Sequence, residues 1–170
     1  KHGLEFSVYA VLMHGAPVET VRQRAPEAGF DVIPANADLT AAEVELVTAS
    51  VREHRLRDAL ARVKHDYDYV LIDCPPSLNM LTVNALVAAD SVLIPVQCEY
   101  YALEGLSSLL NTVTRVQKML NPQLRIEGLL RTMYDARNSL TNEVSMQLIQ
   151  HFGSRVYATL IPRNVRLAEA

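Results

Sequence analysis

Short apolar runs that alternate with helix-length segments constrain this chain more than any other feature. YVLID (69–73), SVLIPV (91–96) and VYATLIP (156–162) are largely apolar and rich in β-branched residues, and RIEGLLRTM (125–133) also reads as a strand. Between them lie NMLTVNALVAA (79–89), an amphipathic stretch over 103–120 and another over 141–152. Runs that are apolar throughout suit strands buried on both faces of a parallel sheet. Parallel neighbours need a crossover of a dozen or more residues, which a helix supplies. The pattern predicts an α/β fold: a doubly wound, mainly parallel sheet with helices on both faces.

The region before residue 69 is less regular. Residues 7–14 read as a helix with Ser7 as N-cap, ended by Gly15 and the Ala16-Pro17 pair. A short helix over 18–24 and a strand FDVIP (30–34) follow. Thr40 with Glu43 makes a capping box for a helix over 41–47. Over 51–64, Val51, Leu56, Leu60 and Val63 share one helical face.

With 49% apolar and 21% charged residues, the 170-residue chain has an ordinary globular composition and no repeats or low-complexity tracts, which predicts one domain over 1–170. A net charge of −3 offers no bulk basic field for nucleic acid. Arg outnumbers Lys by 13 to 3, which suits phosphate recognition and equally suits ordinary surface ion pairs. Cys74 and Cys98 lack metal-ligand spacing and read as reduced, buried and cytosolic. No apolar run approaches the roughly 20 residues of a membrane span, and KHGLEF has no signal-peptide pattern.

The run at 69–73 ends in Asp73, and Pro75 and Pro76 then stop both the strand and an immediate helix. The Asp73 carboxylate is thereby expected at the carboxyl end of a core strand, where open α/β sheets bind ligands. Such a group can order the water shell of Mg²⁺ beside nucleotide phosphates; it can equally cap the following helix. The partner of a metal-side carboxylate is a glycine-rich loop ending Gly-Lys-Ser/Thr. None of the three lysines, Lys1, Lys64 and Lys118, follows a glycine.

Four stretches resolve this mismatch: YDYVLIDCPPSLNMLTVNALVAADSVLIPVQCEYYALEGL (67–106), LLRTMYDARN (129–138), IPRNVRLAEA (161–170) and, more weakly, FDVIPANADLTAAEVEL (30–46). Through them the chain resembles the ParA/Soj chromosome- and plasmid-partitioning ATPases, which stand with MinD among the deviant P-loop proteins. The resemblance implies that a P-loop strand, the loop KGGVGKT with its helix, and a DLDPQ strand precede the matched region, and that further helices follow it. The expected fold is therefore a partial ATPase domain lacking the P-loop strand and helix. The P-loop lysines and the water-positioning aspartate then lie upstream.

Carried over residue by residue, the resemblance makes Asp73 the Walker B carboxylate, facing Mg²⁺ through water. It places Pro162 and Asn164 beside the adenine of ATP or ADP; a strand stop and a helix N-cap explain the same two residues. Met133 is either an apolar wall of that base pocket or core filling. QCEYYALEG (97–105) is similar to part of an ATP-dependent dimer surface and also reads as a capped helix start. Asp135 and Arg137 read as a local ion pair organising a turn. For nonspecific DNA binding by an ATP-bound homodimer the candidates are Arg155, Arg163, Arg166 and Arg115, and such binding is salt dependent. The five histidines show no metal pairing, and Ser77 reads as a helix start, not a nucleophile. The implied protein is a bacterial, cytoplasmic, nucleoid-associated ATPase stimulated by a ParB/Spo0J-type partner, with no membrane association. A non-catalytic module without a P-loop and a MinD-like membrane-site regulator are the alternatives; IPRNVRLAEA argues against the latter.

Overall fold

The computed structural model describes residues 7–75 and 77–164. Its contacts gather into two compact units, Lys1–Ala89 and Asp90–Ala170.

The first unit is mainly helical. Helix α1 (Val8–His14) is followed by Gly15 in the left-handed region at φ 65°, and Ala16 N–H closes the end by donating to Ala10 O at 3.1 Å. Ser7 stands at the N-cap position without a side-chain capping bond. Val11, Val18, Val21 and Val63 form a small core beneath α1 and α2 (Val18–Val21). The expected helix over 18–24 stops early because Gln23–Ala25 (β1) pairs antiparallel with Phe30–Val32 (β2). Ala28 and Gly29 N–H both turn back onto Ala25 O, and Gly29 takes φ 77° to do so.

Helix α3 (Leu39–Thr48) begins one residue before Thr40, so Asp38 holds the N-cap position and the expected capping box does not form. The helix expected over 51–64 is reduced to α4 (Arg55–Leu60) and a 3₁₀ turn at Lys64–Asp66. Val51 has φ 50°, a conformation no helix continues through, and is 63% exposed, while Leu56 and Val63 are buried as expected. Helix α5 (Met80–Ala88) starts at Asn79, whose Oδ1 accepts from Leu81 N and Thr82 N at 3.0 and 3.1 Å. Ser77 supports that start from the side: its carbonyl accepts from Thr82 Oγ1 and its hydroxyl from Asn79 Nδ2. The fully buried Asn84 of α5 receives Leu56 N–H and donates to Arg52 O and Met80 O, supplying partners at the otherwise open start of α4.

The run at 69–73 is the clearest departure from expectation. It is not a buried parallel strand: Tyr69 and Leu71 are 86% and 93% exposed, and no described segment pairs with it. A strand exists through its neighbours' hydrogen bonds, and an apolar pattern alone cannot supply them. Cys74, expected buried, is exposed with this segment; Cys98 is buried, and both thiols are free.

The second unit carries the expected parallel sheet. Strands β3 (Ser91–Gln97), β4 (Arg125–Tyr134) and β5 (Val156–Pro162) lie side by side in that order. Helix α6 (Ala102–Met119) crosses from β3 to β4, and α7 (Ser139–Phe152) from β4 to β5. Ile94, Val96 and Leu129 meet Leu106, Val144 and Leu148 in one core. Fully burying a leucine such as Leu129 or Leu148 contributes about 1.5–3 kcal/mol. Tyr157 lies so close over Gly128 that a Cβ there would sit 2.5 Å from its ring.

Candidate functional site

All three strands of the sheet are parallel, so Gln97, Tyr134 and Pro162 end at one edge, the edge where open α/β sheets take ligands. Tyr134 is the register partner of Pro162, and Arg163 N–H donates to Tyr134 O at 3.0 Å. Just before this rung Met133 adopts φ 51°, a left-handed conformation rare for a residue with a side chain. It occupies a break in the β4–β5 register and is 40% exposed. A bulge at a strand end re-aims the side chain there. Met133 and Pro162 thus place apolar groups on neighbouring strand ends, followed by the exposed Arg163 and Asn164.

The loop after β3 stands at the same edge. Tyr100 and Tyr101 are both exposed and meet edge to face with centroids 5.1 Å apart. Glu99 lies 4.0 Å from the Arg163 guanidinium, a contact between two exposed side chains that contributes little to stability. Below Met133 the turn is held firmly. Arg137 forks onto Asp135 with Nε and Nη2 at 3.0 and 2.9 Å, and its backbone N–H adds a third bond. Those guanidinium bonds, then the backbone N–H, lower the Asp135 carboxyl to about 2. The expected local ion pair is therefore present. Tyr134 OH donates to Asn142 Oδ1, Asn142 donates to Ala136 O, and Asn138 caps α7 through Leu140 N–H.

The structure brings Met133, Pro162, Arg163, Asn164 and Glu99 to one edge. Asp73 belongs to the first unit, where its carboxylate is exposed and makes no hydrogen bond or ion pair among the described residues. It does not cap α5; Asn79 does. Arg155 is exposed just before β5 begins, whereas Arg163 follows its end, so these two arginines are separated by the strand, roughly 20 Å. Arg115 is exposed on α6, and Arg166 lies outside the described residues.

One open depression lies beside the β1–β2 hairpin, but its polar groups satisfy one another. Tyr67 OH donates to Asp31 Oδ2 and receives Arg22 Nη1, each at 2.6 Å, while Arg24 holds Asp31 Oδ1 at 3.0 Å. The Tyr67 hydroxyl, then Arg24, lower the Asp31 carboxyl below its ordinary range. Among the described residues no group of three or more His, Cys, Asp or Glu is placed to hold a metal ion, and no helix is long and apolar enough to cross a membrane. Sequence reasoning missed Arg131, which is buried inside β4; a lone arginine within an apolar run was the available signal.

A family model described as an AAA domain matches residues 1–126. The sporulation initiation inhibitor protein Soj of Bacillus subtilis is 55% identical over 170 residues, all of this chain and 67% of that protein. The chromosome partitioning protein ParA of Caulobacter vibrioides is 53% identical over 166 residues, 96% of this chain and 62% of that protein. Among solved structures, cobyrinic acid a,c-diamide synthase from Mycobacterium smegmatis, with bound ADP and magnesium, superposes with a TM-score of 0.86 at 40% identity, over 95% of this chain and 66% of that one. The chain spans about two thirds of the curated relatives it matches. By family model and by relatives it belongs to the ParA/Soj family of partitioning ATPases.

Proposed function

We propose that the protein is a partitioning ATPase whose single ParA-type domain binds ATP and Mg²⁺, dimerises in the ATP state and holds DNA nonspecifically until a ParB-type partner stimulates hydrolysis. The observation that carries this reading is the strand-end edge of the sheet, where a left-handed Met133 stands beside Pro162 and Asn164. An apolar wall of a methionine and a proline suits the face of an adenine, and Asn164 stands two residues past Pro162 at the same strand end. Asp73 is exposed and unpaired among the described residues, so its carboxylate is free to order magnesium-bound water. Magnesium would neutralise charge developing on the transferred phosphoryl group. None of the chain's three lysines follows a glycine, so none of them is put forward as a phosphate-loop lysine. Tyr100 and Tyr101, exposed at the same edge, suit the dimer surface, and Arg155 and Arg163 are the described candidates for phosphate-backbone contact. We place the protein in the bacterial cytoplasm, on the nucleoid.

The test is ATP turnover by the full-length protein. Asp73→Ala should lower it by about a hundredfold or more, with the melting temperature unchanged because the exposed side chain makes no hydrogen bond or ion pair among the described residues. The 170-residue chain alone should show no turnover. Undiminished hydrolysis by the full-length Asp73→Ala protein would overturn the assignment.

A further inference from the structure

Arg131 stands within β4, 8% exposed, and forms no ion pair among the described residues. A buried guanidinium without an acid is costly unless hydrogen bonds compensate it. Its Nη1 donates to Ser145 Oγ on α7 at 2.9 Å. Its Nη2 donates to two consecutive carbonyls of β5, Tyr157 O at 2.9 Å and Ala158 O at 3.2 Å.

Those carbonyls fall where the β4–β5 ladder is irregular. The rung Leu129–Val156 is followed by Arg131–Leu160, so two steps on β4 answer four on β5. The next rung, Tyr134–Pro162, reverses the imbalance: three steps on β4, Met133 among them, answer two on β5. A bulge leaves backbone groups outside the ladder, and the carbonyls of Tyr157 and Ala158, both exposed residues, are open to other partners. The forked, planar guanidinium supplies them from the neighbouring strand.

We propose that Arg131 is a positioning residue for the nucleotide-base pocket. By fastening the bulge of β5 to β4 and α7, it sets how far β5 advances beside β4, and so where Pro162 and Asn164 stand against Met133. A one-residue slip moves a strand by roughly 3.3 Å and turns its side chains to the other face. The inference rests on the base-pocket reading above.

The experiment measures KM and kcat for ATP and for GTP in the full-length protein carrying Arg131→Met, Arg131→Lys, Met133→Ala or Asn164→Ala, with melting curves for each. Arg131→Met should raise KM for ATP about tenfold, leave kcat within about twofold and narrow the preference for ATP over GTP, because misplaced binding groups weaken substrate positioning. Arg131→Lys keeps a charge but loses the fork, so it should fall between parent and Arg131→Met. It carries the test alone if Arg131→Met does not fold. Unchanged KM in the folded Arg131 variants, while Met133→Ala and Asn164→Ala raise it, overturns the positioning role and leaves the pocket standing. Unchanged KM in Met133→Ala and Asn164→Ala overturns the pocket and the inference with it. A parallel loss of kcat and melting temperature without a KM change marks a structural role and also overturns the inference.

Discussion

Gly128→Ala tests whether the sheet is packed as tightly as the structure shows. The new Cβ would lie 2.5 Å from Tyr157 Cε2, 3.0 Å from Cδ2 and 3.0 Å from Arg155 O. Carbon pairs rest at about 3.5–4.0 Å, so the ring must retreat by about 1 Å. Tyr157 is 38% exposed and can swing outward, but Arg155 O is backbone at the entry to β5 and cannot. Overpacking of this kind costs about 1–3 kcal/mol. Alanine restricts the unfolded chain and suits a strand better than glycine, which returns about 0.5–1 kcal/mol. The net expectation is a loss of between about 0 and 2.5 kcal/mol, read from the urea midpoint at constant slope. Tyr157→Ala removes the ring, so the double variant should recover at least about 0.5 kcal/mol relative to the sum of the single changes. A Gly128→Ala protein clearly more stable than its parent, or strictly additive effects in the double variant, would refute the packing argument.

Two further perturbations follow from named bonds. Asn79→Ala removes the acceptor of Leu81 and Thr82 N–H at the start of α5 and should cost about 1 kcal/mol in urea denaturation; replacement by Ser should restore most of it, and an equal loss in both variants would contradict a capping role. Asp135 has a folded pKa of about 2, below the roughly 3.9 of an unfolded aspartate, so its contribution is complete above about pH 4 and fades as pH falls through about 2. Carboxyl-carbon NMR titration should show that low midpoint, and Arg137→Gln should raise it; an ordinary midpoint in the parent would contradict the fork.

The second unit was legible because each of its signals is local. SVLIPV, the 103–120 stretch and VYATLIP each state their own period, and helical crossovers join neighbours in chain order. The first unit depended on information the pattern does not carry. Gln23-Arg24-Ala25 is polar and has no strand-like alternation; only the Ala25-Pro26 and Gly29 turn residues hinted at the hairpin. Val51 satisfied a helical face while its backbone refused the helix. Of the candidate site, the place of Pro162 and Asn164 at the end of a strand could be read from VYATLIP, whereas their part in a base pocket came only from the resemblance of IPRN to the partitioning family. The bulge that turns Met133 and the arginine beneath it could not, since both arise from how two strands slide past each other.

The open run from Tyr69 to Ile72 has a consequence for handling the protein. Its apolar residues keep backbone donors and acceptors that no described strand takes. A second copy can offer the same groups, and pairing between copies is bimolecular, so the tendency to self-associate grows with concentration. Dilution, or a charge placed at Leu71, should keep this 170-residue chain dispersed.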